Sequence, residues 1–298
     1  MPRRSHLGTP QAEGFSDVLA VFDRITARAG WDGAILGGTR WPKADRRDRQ
    51  ILCLGVPRLT IVETGTAGYA ITVAGQRRDL RLGPGGILHF ASHAWNAVSW
   101  KEPVRFLGLV FHRDFLRVLC CDHPGGGGPR GSRQSHHTAE PVGRDVAGLL
   151  EALDDLAARG HGGDADVGAC LRLVVARSRV HLAADLAGAP LDPSQRTWRE
   201  VLSWLQDHCT EAIGRDDAAQ ALGLHPNYLS TVCTRHGGRS FQRSLEALRL
   251  DRAKALLRQD ADVPLAEIAR RCGFADADRF GRVFRARVGI TPKRWARG

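Results

Sequence analysis

The seven cysteines of this 298-residue chain contain no C-x-x-C pair. Cys53, Cys120, Cys121, Cys170, Cys209, Cys233 and Cys272 are scattered, which argues against a thiol-built metal site and against a disulfide framework. Cys209, Cys233 and Cys272 fall at apolar helix positions and read as buried free thiols. The vicinal pair Cys120–Cys121 leaves a redox role open beside a structural one. No stretch approaches about 18 uninterrupted apolar residues, so no membrane span is visible. Met1–Gly14 has no apolar run of signal-peptide type. Together these two absences set the expectation of a cytoplasmic protein. Lysine is also scarce, and arginine supplies nearly all of the positive charge.

What is present is the composition of a globular chain, 43% hydrophobic and 25% charged, long enough for two domains with separate cores. Formal net charge is +11. From Gln195 to Gly298 there are 19 Lys and Arg against 12 Asp and Glu, while the longer remainder has 24 against 20. Codon bias toward arginine does not explain that concentration in one third of the chain. A basic domain of this kind suits a polyanion, because each neutralised phosphate releases counterions.

In chain order, Met1–Gly14 reads as a disordered tail. Phe15–Ala29 places Phe15, Val18, Leu19, Phe22 and Ile25 at helical spacing. Trp31–Arg49 is Gly-rich and charged, open to loop or irregular strand. From Ile51 to Phe111 short runs rich in Val, Ile and aromatics, broken by Gly and Pro, predict an antiparallel β sandwich or barrel. Gly83–Gly86 is a tight turn between two of these strands, and Pro124–Arg133 a flexible loop. Val142–Arg159 and Val167–Leu186 carry helical apolar stripes, the second through Leu171, Val174, Val175, Val180 and Leu182. These helices could cover the sheet or meet a second subunit. Gly188–Pro193 reads as a linker, and Thr197 with Glu200 as a capping box opening the next helix.

The last hundred residues contain a repeat. Ala218–Leu224 (AAQALGL) lies over Ile268–Phe274 (IARRCGF) at an offset of 50 residues. After a slip of one, Leu229, Val232, Cys233 and Gly238 lie over Phe280, Val283, Phe284 and Gly289. Each copy reads as helix, turn, helix, and the tandem on a basic background points to DNA. Between them Ser240–Gln259 predicts one helix of about 30 Å, close to the roughly 34 Å between successive major-groove faces on one side of B-DNA.

The motifs AAQALGLHPNYLS, LRLDRAKALL, EIARRCGF, FGRVFRARVG and GITPKRW, in this order, resemble the DNA-binding domain of AraC/XylS-type bacterial transcription regulators. The resemblance implies seven helices, with Asn227, Ser230 and Thr231 as base-reading positions of the first unit. In helical projection Leu229, Val232 and Cys233 face inward and leave Asn227, Tyr228, Ser230, Thr231, Thr234 and Arg235 outside. In the second unit Phe280, Val283 and Phe284 face inward. Asp278, Arg279 and Arg282 then point at bases, and Arg285 and Arg287 at phosphates. Arginine can bind guanine O6 and N7 together. Three departures from the family pattern stand out: Arg215 and Cys233 where larger apolar residues are usual, Gly281 inside a recognition helix, and Asp276 and Asp278, which beside DNA would repel phosphate or else cap the helix, with Asp278 able to accept from a cytosine amino group instead.

LRLGPGGILHFASHAWNAVSW resembles, more distantly, the cupin-like sensor domain of the same family. His89, His93, Trp95 and Trp100 are its candidate effector-binding residues. A metal-binding cupin would want H-x-H followed by Glu, whereas this segment has H-x-x-x-H, so neither a metal nor a cofactor is expected. The expected fold is α+β: a cupin-like β sensor domain over 1–139, a helical dimerisation or packing segment over 140–187, a linker over 188–196 and an all-α DNA-binding domain of two helix-turn-helix units over 197–298. The expected function is a non-enzymatic, effector-controlled, homodimeric transcription regulator acting on double-stranded DNA, with RNA polymerase as a partner if it activates. A metal-dependent cupin enzyme carrying a DNA-binding domain, and a regulator without effector, are the alternatives.

Overall fold

The computed structural model describes residues 18–31, 34–37, 51–53, 55–73, 76–92, 94–127, 132–159, 165–188, 192–259 and 263–297. Residues 1–17, most of 31–49, 160–164 and His93 lie outside these residues. Helix α1 (Val18–Arg28) buries Val18, Val21, Phe22 and Ile25, the expected stripe. Among the described residues ten strands follow: β1 (Ile35–Gly37), β2 (Ile51–Cys53), β3 (Arg58–Gly65), β4 (Ala67–Val73), β5 (Gln76–Leu82), β6 (Ile87–Phe90), β7 (Trp95–Ser99), β8 (Val104–Phe111), β9 (Leu116–His123) and β10 (Arg133–Ala139). They form a six-stranded sheet, β1-β6-β3-β8-β9-β10, and a four-stranded sheet, β2-β7-β4-β5. The result is an open sandwich rather than a closed barrel. One pair, β1 with β6, is parallel, against the expectation of antiparallel pairing throughout.

Tyr69 of β4 meets the edge of Phe90 of β6 with ring centroids 5.8 Å apart, so these side chains lie between the sheets. Arg58 is buried there too, its guanidinium 4.3 Å from the Phe90 centroid and donating to Asn96 Oδ1 and the Ala94 carbonyl. Helices α2 (Arg144–Arg159) and α3 (Ala165–Ala187) pack with α1 on the other face of the larger sheet. Val146, Leu150, Leu153, Leu171, Val174, Val175 and Leu182 are buried in that core. Val180, expected inward with them, is exposed. Cys120 and Cys121 are both fully buried on β9, and desolvation pushes their thiols up to about 11 and about 12. Thiols held protonated in this way are poor nucleophiles, which removes the basis for a redox role.

The all-α part contains α4 (Pro193–His208), α5 (Arg215–Ala221), α6 (Pro226–Gly237), α7 (Phe241–Gln259), α8 (Leu265–Arg271), α9 (Ala277–Val288) and α10 (Pro292–Arg297). Helix α4 does not start at a Thr197 capping box. It begins four residues earlier, with Asp192 accepting from the Ser194 amide and Pro193 in the first turn. Asp followed by Pro is the stronger start, because the acid caps an orphan amide and proline has none to satisfy. The Thr197 hydroxyl instead donates to the Pro193 carbonyl inside the helix. The expected linker is shortened to match.

Candidate nucleic-acid interface

Each helix-turn-helix unit holds its second helix by one face and offers the other. In α6, Leu229, Val232 and Cys233 are buried against Trp198, Val201 and Leu205 of α4. The helix starts at His225, whose Nδ1 accepts from the Asn227 amide, with Pro226 at its first position, and ends on Gly238 at φ 65°. Gly237 packs so near Trp198 that a Cβ there would lie 2.5 Å from the indole ring. Asn227, Tyr228, Thr231, Thr234 and Arg235 are exposed and Ser230 is half-buried.

Their hydroxyls are not idle. Ser230 donates to Pro226, Thr231 to Asn227 and Thr234 to Ser230, each to the carbonyl four residues back, at 3.1, 3.0 and 2.9 Å. In this geometry each hydroxyl oxygen is left to accept, which suits the amino groups of adenine or cytosine in the major groove. Arg235 lies 3.9 Å from Asp192, the cap of α4, and so leans toward its own domain.

In α9, Phe280 and Phe284 are fully buried and Val283 partly so. Asp276 caps the helix, accepting from the Arg279 amide at 2.6 Å. Of the two readings left open for this acid, the cap is the one realised. Asp278, Arg279, Arg282, Arg285 and Arg287 are exposed. Among the described residues Arg279, Arg282 and Arg285 make no ion pair, whereas Arg287 is held by Glu246 of α7 at 3.1 Å. Gly281 is accommodated without contact: a Cβ there would meet nothing within 4 Å.

Of the candidate effector residues His93 lies outside the described residues, and His89, Trp95 and Trp100 are not brought together. His89 sits on the opposite face of β6 from Phe90, fully buried toward α2, its Nε2 3.7 Å from Asp154 Oδ1. Burial lowers its pKa to about 3, with the Arg58 charge adding to the effect, which favours the neutral ring. Trp95 points away from the larger sheet, donates to Thr72 Oγ1 at 2.8 Å and is buried with Ala70 and Ala97 in an apolar cluster that also contains Leu250 and Phe280. Trp100 is half-buried and stacks on His123 with centroids 4.6 Å apart. Strand alternation separates His89 from the inner face by one residue, and nothing local in the sequence marks which face is inside. No group of three His, Cys, Asp or Glu side chains placed to hold a metal occurs among the described residues.

Contacts between the two halves of the chain were not anticipated. Arg117 on β9 donates to both carboxylate oxygens of Asp207 on α4, at 3.0 and 2.7 Å, and lies 3.1 Å from His136 Nδ1. Arg199 of α4 donates to Glu140 at 2.6 Å, and Gln206 pairs with His112 at 2.9 Å.

Residues 218–298 match the family described as a helix-turn-helix domain. Over 252 residues the chain is 29% identical to YpdC, an uncharacterized HTH-type transcriptional regulator of Escherichia coli (strain K12), covering 81% of this chain and 82% of that protein. Over 201 residues it is 36% identical to the HTH-type transcriptional activator RhaS of Escherichia fergusonii, covering 67% and 68%. Among solved structures, the C-terminal domain of AraT, a response regulator from Geobacillus stearothermophilus, is 27% identical with a TM-score of 0.34, covering 37% of this chain and 88% of that one.

Proposed function

The chain belongs to the AraC/XylS-type family of DNA-binding bacterial transcription regulators, and from that premise we propose that its two units read adjacent major grooves under the control of a small-molecule effector. The observation that carries this reading is the pairing of a firmly buried face with an exposed, uncommitted one on both α6 and α9. Asn227, Ser230 and Thr231, beside Tyr228, meet base edges in one groove. Asp278, Arg279 and Arg282 meet them in the next, with Arg282 and Arg279 as the readers of guanine. Arg285 contacts phosphate, and Arg235 and Arg287 do so at the cost of their pairs with Asp192 and Glu246. Helix α7, at about 1.5 Å per residue, has the length that this spacing asks for.

The effector belongs in the β domain. Its occupancy would reach the reading units through the contacts of Arg117, His112 and Glu140 with α4, and it must favour one arrangement of those contacts to act. A second copy of the chain supports the assembly: α3 leaves Leu173, Val180 and Leu186 about half exposed, at 49%, 53% and 54%. With exposed Ala169, Ala176 and Ala184, Leu173 and Val180 form a stripe at three- and four-residue intervals, the pattern of a helix awaiting a helix, and Leu186 lies beside its end. The protein acts in the cytoplasm, without chemistry of its own, and meets RNA polymerase where the outcome is activation.

Selection of sites from random DNA by the full-length protein tests the reading. Footprints should show two protected major grooves about 10 base pairs apart on one face, with affinity falling steeply as salt rises. Binding that is indifferent to sequence overturns it.

A further inference from the structure

The two reading units are joined by more than the helix between them. Arg249, in the middle of α7, is only 7% exposed. Its Nε–H donates to the carbonyl of Cys209 and Nη2–H to that of Glu211, both at 2.7 Å. These carbonyls lie at and just beyond the end of α4, the helix on which α6 of the first unit rests, where a helix leaves acceptors unsatisfied and its dipole favours a cation. The second unit closes on the same point. Gly273, in the α8–α9 turn at φ 78°, packs so near that a Cβ would lie 2.6 Å from the Cys209 carbonyl oxygen and 2.9 Å from the Thr210 backbone. The ring of Phe274 is centred 5.9 Å from the Arg249 guanidinium. One turn back along α7, Glu246 holds Arg287 at the end of α9.

We infer that Arg249 is a positioning residue for DNA reading, fixing α6 and α9 at one mutual spacing by tying the end of α4 to the joint between α7 and the α8–α9 turn. The inference rests on the two-groove reading above. Buried as it is, Arg249 presents no atom for DNA to contact, and it acts through the other elements. Linked modules gain on the order of 100-fold or more from a second contact only when their geometry lets both engage at once. Without the guanidinium, α7 still joins the units covalently, but the Cys209 carbonyl loses the Nε–H donor, the Glu211 carbonyl keeps only the Ile213 amide, and the turn at Gly273 loses the strut beside it. The second unit can then shift against the first.

The experiment uses full-length protein and the two-box site that it selects from random DNA. That site is compared with versions lengthened by one or two base pairs between the boxes and with a version whose second box is scrambled. Wild type should lose affinity on the order of 100-fold when the second box is moved or scrambled. Arg249→Met should bind the native site about tenfold more weakly, bind the single-box DNA as wild type does, and distinguish the spacings by less than about threefold. A folded Arg249→Met that keeps the wild-type spacing preference overturns the assignment. If that variant does not fold, Arg249→Gln, which keeps one donor, is measured in the same way, and an undiminished spacing preference there overturns it equally. A wild-type protein that selects only a single box overturns the two-groove reading and this assignment with it, an outcome plain before any variant is made.

Discussion

In the first unit, α6 rests Leu229, Val232 and Cys233 on Trp198 and a set of aliphatic neighbours. In the second, α9 rests Phe280 and Phe284 on Phe274 and Trp295, a chain of rings with successive centroids 5.2, 5.5 and 6.2 Å apart. Tilted and edge-on aromatic pairs add about 0.5–1.5 kcal/mol beyond the area they bury. The outer faces differ as well. The hydroxyls of α6 are satisfied within the helix, whereas Arg279, Arg282 and Arg285 repeat every third residue on α9 and, among the described residues, make no ion pair, with Asp278 the one exposed acid inside that helix. Like charges at that spacing cost a helix a few tenths of a kcal/mol per pair. The difference teaches where such a face can be placed: the uncompensated charge stands over the more strongly packed core.

The comparison breaks most readily at its centre. Phe284→Ala should destabilise the protein by about 3–5 kcal/mol, while Cys233→Ala, which removes a single buried sulfur, should cost about 1 kcal/mol. Denaturant unfolding of both variants checks this, and equal losses would erase the contrast between the cores. Arg282→Ala should cost about 1–3 kcal/mol of specific DNA binding, and Thr231→Ala less than about 1 kcal/mol. Titrations against the selected site decide that order, and its reversal would make α6 the principal reader. Gly281→Ala should stabilise the second unit by up to about 1 kcal/mol, since a Cβ meets nothing within 4 Å; a lowered melting temperature would contradict it. The smallest effect lies in α8. Hydrogen bonds from Arg270 first, and then Arg271, hold the Glu267 carboxyl down at about 2. A depressed carboxylate contributes stability that is complete above its unfolded value near 4.3 and is lost as pH falls through the folded one. Glu267→Gln should therefore cost less than about 1 kcal/mol at pH 7, a cost that shrinks as pH falls below about 4 and is gone only below the folded value, which parallel unfolding curves would reveal.

Much of this was legible in the residues themselves. Apolar spacing in α6, α7 and α9 announces both the helix and its inner face, because each face is fixed by neighbours three and four residues away. The strands β9 and β10 went unread. RVLCC offers no alternation, and RQSHHTA is a polar edge strand whose pairing is dictated by β9 rather than by its own composition. His89 illustrates the limit at a single site. Its chemistry suggested a pocket, but a one-residue phase on β6 sends it to α2. Long-range pairs such as Arg117 with Asp207, 90 residues apart, leave no local trace at all. Nothing in the sequence sets Arg249 apart from Arg252 or Arg258 on α7, because the end of α4 that it binds lies 38–40 residues away.

Those pairs bear on how force would pass through the molecule. Glu140 grips Arg199 and Arg117 grips Asp207, at two points eight residues apart on α4, about 12 Å along its axis. A rod held at one point can pivot; a rod held at two cannot turn or tilt without releasing one of them. The first helix of the DNA-binding half is therefore held to the sandwich at two points, Arg199 and Asp207, rather than at one.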